Sequence, residues 1–352
     1  MPKGAGQIFK LAISKPTHPA SFNSPFSTSC NGILAPVKKH IYIYSPSSAV
    51  RDKASFKRGV KRLIALGHEV EIDEAALASH QRFAGDDETR LAAIHRAAAS
   101  GADVALISRG GYGLTRLLPQ IDYKTVANAI EKGTQFVGLS DFTAFQNAVL
   151  AKTGGVTWAG PALGEDFGTA TTPDDIMEAC FDDLITGQGE GAGWTLPKTA
   201  INLIAGYASP ESAEGHFSIN NAILWGGNLT VLTSLLGTPY LPDVQDGILF
   251  IEDVNEHPYR IERMLTQLLY AGVLAKQKAI IFGQFTNYKL TPNDKGFKLA
   301  TVVAWLQSQL KVPVLTGLPF GHVETKVLLP VGEKITLDVE GRDVFLLWGH
   351  QH

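Results

Sequence analysis

From His40 onward, short apolar runs alternate with longer stretches of helical spacing. HIYIYS predicts a buried strand that ends in the turn Ser45-Pro46-Ser47-Ser48. FKRGVKRLIALG carries its apolar residues at helical intervals, and HEVEI reads as a second strand. ETRLAAIHRAAAS predicts a helix with Asp86 or Asp87 placed to cap it. ADVALIS and TQFVGL are further buried strands, the second running into an amphipathic stretch, FTAFQNAV. Strands alternating with helices predict a parallel, helix-covered sheet, and such sheets take ligands beyond the carboxyl ends of their strands.

The rhythm changes after about residue 170. TTPDDIMEACFDDLITG predicts a capped helix and GQGEGAGW a glycine-rich linker. Short strand patterns follow in NAILWGGNL, GILFIEDV, KAIIFGQF, KITLDVEG and DVFLLWG, around one clear helix, PYRIERMLTQLLYAG. The expected architecture is α/β: a Rossmann-like parallel-sheet domain over 39–170, a helix and linker over 171–200, and a smaller strand-rich domain over 201–352. Residues 1–38 hold Ser, Pro and Lys without Asp or Glu, and lack the apolar core of a secretory signal. They read as a flexible extension without chemistry.

Three stretches fall at the carboxyl ends of predicted strands: Ser45–Ser48, Ser108–Gly113 (SRGGYG) and Ser140-Asp141. The glycines at 110, 111 and 113 allow close backbone approach to a ligand, or simply a tight connection. Ser140 sits between a buried strand and a helix. It has two readings there, an N-cap or a group exposed at the sheet edge beside free backbone N–H donors. Two polar interruptions stand out later: Glu252, at the end of the apolar run GILFIEDV, and His322, on the loop after Pro319-Phe320-Gly321. Each has an ordinary alternative, a helix amino terminus for Glu252-Asp253 and a packed or solvated ring for His322.

Composition narrows the function. Of 352 residues, 45% are hydrophobic and 18% charged, enough for a substantial core. The 31 Lys+Arg against 34 Asp+Glu leave a net charge of −3, without the basic surplus of a nucleic-acid binder. No apolar run approaches the ~20 residues of a membrane span. The two cysteines, Cys30 and Cys180, lie far apart, and neither CxxC nor HExxH occurs, so neither a disulfide framework nor a metal site is expected. GGYGLTR lacks the third glycine of a dinucleotide fingerprint, and no cofactor is expected.

FVGLSDFTAF, SRGGYGLTRLLPQIDY, LWGGNLTVLTSLLGTPYLP, ILFIEDVNEHPYRIERML and GLPFGHVETKVLLPVG together resemble the LD-carboxypeptidases, the murein tetrapeptide carboxypeptidase family, over about residues 40–348. The resemblance implies a serine peptidase with a Ser140–His322–Glu252 triad in a cleft between the domains. Ser140 falls on the serine of the family's GxSD motif, Glu252 on its strand-end glutamate and His322 on its G-H loop. Phe142 stands where a G-x-S-x-G elbow would have its second glycine, so the frame differs from an α/β-hydrolase. Backbone N–H groups at Asp141, Gly110 and Gly111 are the candidate oxyanion donors, and Arg109, ahead of Arg116, is the candidate partner for a substrate carboxylate. Tyr112 and Trp225 are candidates to line the cleft, with packing in the core an equal alternative for Trp225. The family releases terminal D-alanine from murein tetrapeptides, which implies a small muropeptide substrate, a cytoplasmic location in cell-wall recycling and a homodimer. A related subgroup degrades peptide–nucleotide antibiotics, and a non-catalytic muropeptide-binding protein is a further alternative.

Overall fold

Burial on both faces is what the continuous apolar runs require, and the computed structural model supplies it. It describes residues 8–9, 38–198, 207 and 216–349. Apart from a two-residue strand, β1 (Ile8–Phe9), and residue 38, the expected extension lies outside the described residues. The first sheet contains β2 (His40–Tyr44), β3 (Glu69–Ile72), β4 (Val104–Ile107), β5 (Gln135–Gly138) and β6 (Thr157–Ala159), hydrogen-bonded in parallel in the order β6-β5-β4-β2-β3. β4 is buried at every position, whereas β3, at the sheet edge, leaves Ile72 45% exposed. Asp86 caps the helix Asp87–Ala99 by accepting from the Thr89 N–H at 2.8 Å.

The second sheet is eight-stranded and mixed. Its parallel part comprises β8 (Phe217–Asn228), β9 (Ile248–Val254), β10 (Ala279–Thr286) and β11 (Val314–Thr316). The helix Pro258–Tyr270 buries Ile261, Leu265 and Leu268 in the same core as β9 and β10. A second helix, Leu299–Gln309, packs into that core as well, although its sequence shows no strong periodicity. The glycine-rich stretch is not a free connection. Gly191–Thr195 forms β7, which pairs antiparallel with β1 and with β14 (Asp343–Leu347). Small residues there let β7 lie against β14, since a Cβ on Gly191 would meet the Leu346 carbonyl at 2.5 Å.

Two features join the sheets. After β11 the chain crosses over, and β12 (Leu329–Val331) adds antiparallel to β6 at the edge of the first sheet. β13 (Lys334–Glu340) then returns to pair with β8. The second feature is the helix Thr143–Thr153, in which every residue from Thr143 to Val149 is buried. The polar residues that make FTAFQNAV look amphipathic therefore face protein. Asn147 Nδ2 donates to the Gly226 carbonyl at 2.9 Å, and Thr143 Oγ1 accepts from the Asn228 N–H at 2.9 Å. Gly226 and Gly227 have φ of 127° and 125°, and a Cβ on Gly226 would sit 2.0 Å from the Phe250 carbonyl. Among the described residues, no helix is long and apolar enough to cross a membrane.

Candidate active site

Ser140 opens the turn between β5 and the buried helix with a φ of 65°, which side chains other than glycine rarely adopt. Neither Ser140 nor Asp141 makes a side-chain cap to that helix. The N-cap reading of Ser140 therefore fails. A backbone held in the left-handed region costs about 1–3 kcal/mol and persists where surrounding structure imposes it. Here the glycine loop imposes it. A Cβ on Gly110 would lie 2.6 Å from Ser140 Cβ and 2.9 Å from its Oγ. Only glycine admits such an approach, and it brings the Gly110 backbone against the serine.

Asp141 holds this arrangement from below. It is 1% exposed, and its Oδ2 accepts from Ser47 Oγ at 2.6 Å and from the Leu114 N–H at 2.9 Å. Burial raises its pKa, against the lowering effect of those hydrogen bonds and of the Arg90 charge. Ser48 Oγ accepts from the Tyr112 N–H at 3.1 Å, and Ser45 Oγ lies 2.5 Å from Ser108 Oγ. The three strand-end stretches thus converge at the carboxyl edge of the first sheet, with Asp141 as a fastener between them.

Glu252 and His322 meet on the other side. Glu252, fully buried at the end of β9, places Oε2 2.8 Å from His322 Nδ1. Gly321, with φ 140°, permits this because a side chain there would press within 3.1 Å of Glu252 Oε2. Burial pushes the imidazole pKa down, but the Glu252 hydrogen bond and charge, helped by Glu165, outweigh it and leave His322 above its ordinary value. Asn228, which the sequence reading did not single out, completes the group. Its Oδ1 caps the helix Leu229–Ser234 through the Val231 N–H, and its Nδ2 reaches both Glu252 Oε1 and Asp253 Oδ1 at 3.1 Å. The GGN of LWGGNLT was the available signal. Asp253 turns inward too, to Thr230, and burial followed by the Glu252 charge lifts its pKa to about 6.

His322 and Leu139, the neighbour of Ser140, line one cleft of about 600 Å³ together with Glu165, Asp174, Asp175 and Glu324. Among the described residues no hydrogen bond joins Ser140 Oγ to the His322 ring, and such contacts are often long until substrate binds. Arg109 stands at the margin, donating to the Ala49 carbonyl at 3.2 Å with its guanidinium 4.0 Å from Glu165. Arg116 is engaged elsewhere, paired with Asp87 at 2.8 Å and packed over Phe83. Tyr112 is 47% exposed beside Phe83 and Arg82. Of the two readings for Trp225, the core holds: it is wholly buried, with Nε1 donating to Gln277 Oε1 at 2.8 Å. The one described group with metal-ligating spacing, His216, Asp338 and Glu340, is surface-lying and outside the cleft lining.

Residues 41–160 match the family model of the LD-carboxypeptidase N-terminal domain, and residues 221–337 match that of the LD-carboxypeptidase C-terminal domain. The chain belongs to the LD-carboxypeptidase family. It is 31% identical over 277 residues to a probable murein peptide carboxypeptidase of Bacillus subtilis, covering 78% of this chain and 81% of that protein. The crystal structure of a muramoyltetrapeptide carboxypeptidase from Oxalobacter formigenes superposes with a TM-score of 0.74 at 37% identity, covering 88% of this chain and 98% of that one. The microcin C7 self-immunity protein of Escherichia coli is 29% identical over 249 residues, 67% of this chain and 71% of its own. Membership makes this chain one of a family of peptidases acting as carboxypeptidases, built on the two-sheet frame described above.

The contact between Gly110 and Ser140 yields a direct expectation. Gly110→Ala should leave far-ultraviolet dichroism unchanged, since the clash is confined to one turn, and should lower kcat about 100-fold or more by displacing Ser140 and the adjoining donors. Wild-type turnover in a folded Gly110→Ala protein would remove this loop from the chemistry.

Proposed function

We propose that the chain is a serine-type LD-carboxypeptidase that removes terminal D-alanine from murein tetrapeptides, with Ser140 as nucleophile, His322 as base and Glu252 as its orienting carboxylate. The observation that carries this reading is the 2.8 Å bond between buried Glu252 and His322 Nδ1, in a cleft shared with the Ser140 turn. Glu252 accepts a hydrogen bond from Nδ1–H, so Nε2 is left as the basic nitrogen for the serine hydroxyl. Attack of Oγ on the carbonyl carbon would pass the serine hydroxyl proton to Nε2. The oxyanion would be received by backbone N–H groups of Gly110, Gly111 or Asp141. Imidazolium would then protonate the departing D-alanine amine, and water, activated by the same base, would hydrolyse the acyl-enzyme.

The charge of the cleft supports a muropeptide. Glu165, Asp174, Asp175 and Glu324 line it, whereas its lysine, Lys326, is already paired with Asp166. An acidic wall suits the ammonium group of a diamino acid, and Arg109 at the margin suits the terminal carboxylate. The family resemblance extends the proposal to a cytoplasmic homodimer acting in cell-wall recycling.

Incubation with a tetrapeptide muropeptide should release D-alanine, followed by mass spectrometry. Amidating the terminal carboxylate should raise KM about tenfold or more in the wild type, and Arg109→Ala should lose that discrimination. Cleavage of a peptidyl-adenylate without D-alanine release would move the chain to the microcin-immunity subgroup. Equal rates on the acid and the amide would remove the role of Arg109.

A further inference from the structure

The loop that carries His322 leaves the second sheet after β11 and enters the first sheet as β12. Its ties to the first half of the molecule are made by the residues just after the histidine. Lys326 is 3% exposed, and its Nζ bonds Asp166 Oδ1 in a buried ion pair. Thr325 Oγ1 donates to Asp174 Oδ2 at 2.6 Å. Asp166 is itself held by the Ala162 N–H at 2.7 Å, within the wide turn Leu163–Phe167. From that turn the Gly164 N–H donates to the Ser108 carbonyl at 2.9 Å, directly before the glycine loop that abuts Ser140. A continuous set of bonds therefore runs from His322, through Lys326, Asp166 and the wide turn, to the Ser140 edge.

We propose that Lys326 is a positioning residue: its buried pair with Asp166 fastens the His322 loop to the sheet that bears Ser140, and so sets where the imidazole stands over the cleft. This rests on the proposed Ser140–His322 chemistry, and assigns a role that the triad alone does not contain. A buried ion pair is seldom retained for stability, because desolvation offsets most of its attraction, so a specific structural function is the more economical account. Backbone bonds hold the loop to the second sheet as far as Phe320, whose carbonyl accepts from the Gln284 N–H at 2.8 Å, and close its base through the Val327 N–H to the Pro319 carbonyl; its side-chain ties to the first half of the molecule come from Thr325 and Lys326. The ammonium also faces His322, together with the carboxylates of Glu252 from β9 and Glu165 from the wide turn. It opposes both by disfavouring the imidazolium.

The test combines turnover with a direct titration of the His322 ring by NMR, assigned with His322→Gln. Lys326→Met should lower kcat about 10-fold or more with KM within threefold of wild type. It should also raise the His322 pKa by about half a unit or more, as removal of a nearby like charge does. Lys326→Arg, which keeps charge and donors, should keep the wild-type titration. If Lys326→Met fails to fold because Asp166 is stranded, the neutral pair Asp166→Asn/Lys326→Met decides, with the same loss in kcat and a smaller rise in the His322 pKa expected, since a carboxylate leaves together with the ammonium. A folded variant with wild-type kcat overturns the proposal, and so does a fall in kcat with an unmoved titration. The titration needs no substrate, so an incorrect choice of peptide would leave it standing while the turnover arm failed.

Discussion

Ser140→Ala should lower kcat/KM for D-alanine release by about 10⁴-fold or more, as loss of a triad member does, while the protein stays folded. The hydroxyl caps no helix, and alanine shares serine's discomfort at a φ of 65°. Thermal unfolding should therefore be nearly unchanged. Ser140→Gly should be equally inactive yet more stable than Ser140→Ala by about 1 kcal/mol, because glycine enters the left-handed region without a steric penalty. Calorimetry and turnover on the two variants separate strain from chemistry. Residual hydrolysis near the wild-type rate in either one would rule out serine nucleophilic catalysis.

Glu252→Gln is the second large effect expected, through the proton on His322 rather than through packing. Asn228 Nδ2 donates to Glu252 Oε1, so the glutamine oxygen is drawn to that side and its NH₂ is left facing Nδ1. The ring then keeps its proton on Nε2 and can no longer accept one from Ser140. A loss of about 10³–10⁴-fold in kcat follows, by analogy with the amide form of a triad carboxylate. The pH dependence has a definite sign. In the wild type, His322 titrates above its ordinary ~6.5, so the acid limb of kcat/KM lies above that pH. Glu252→Gln removes the two largest raising interactions and leaves burial opposed only by the Glu165 charge, and the limb should move down. Linkage gives the matching stability effect. The raised imidazolium stabilises the fold below pH ~6.5, and this contribution disappears as pH rises through the folded pKa. The variant should lose that pH dependence, which denaturant unfolding at pH 5.5 and 8.5 measures.

Much of the first sheet was legible because its inner strands are buried on both faces and helices such as Asp87–Ala99 are capped locally. HIYIY, VALI and QFVG need no partner to be recognised as apolar runs, and Asp86 signals a helix start from its own neighbours. The strand ends at Ser45, Ser108 and Ser140 follow from those elements, which is why the candidate loops were visible before any geometry. Glu252 and His322 were visible for a related reason, as polar residues interrupting apolar context. Their motifs tied them to Ser140 through the family resemblance, which no spacing along the chain supplies.

Other features exist only in three dimensions. FTAFQNAV has an amphipathic pattern, yet Asn147 and Thr143 are buried because the second sheet supplies their hydrogen-bond partners. Gly191–Thr195 reads as a linker but is a strand, since its composition permits pairing without announcing it. Asn228 looks like one more turn residue until its amide is found between Glu252 and Asp253. For Trp225 and Arg116 only the fold chose between open readings, sealing the first in the core and pairing the second with Asp87. The local pattern of the chain therefore determined its strands, caps and reactive residue types, because those depend on near neighbours. The crossing from β11 to β12 decided which of them face one cleft, since bringing His322 to the edge of Ser140's sheet depends on partners as remote in sequence as Lys326 is from Asp166.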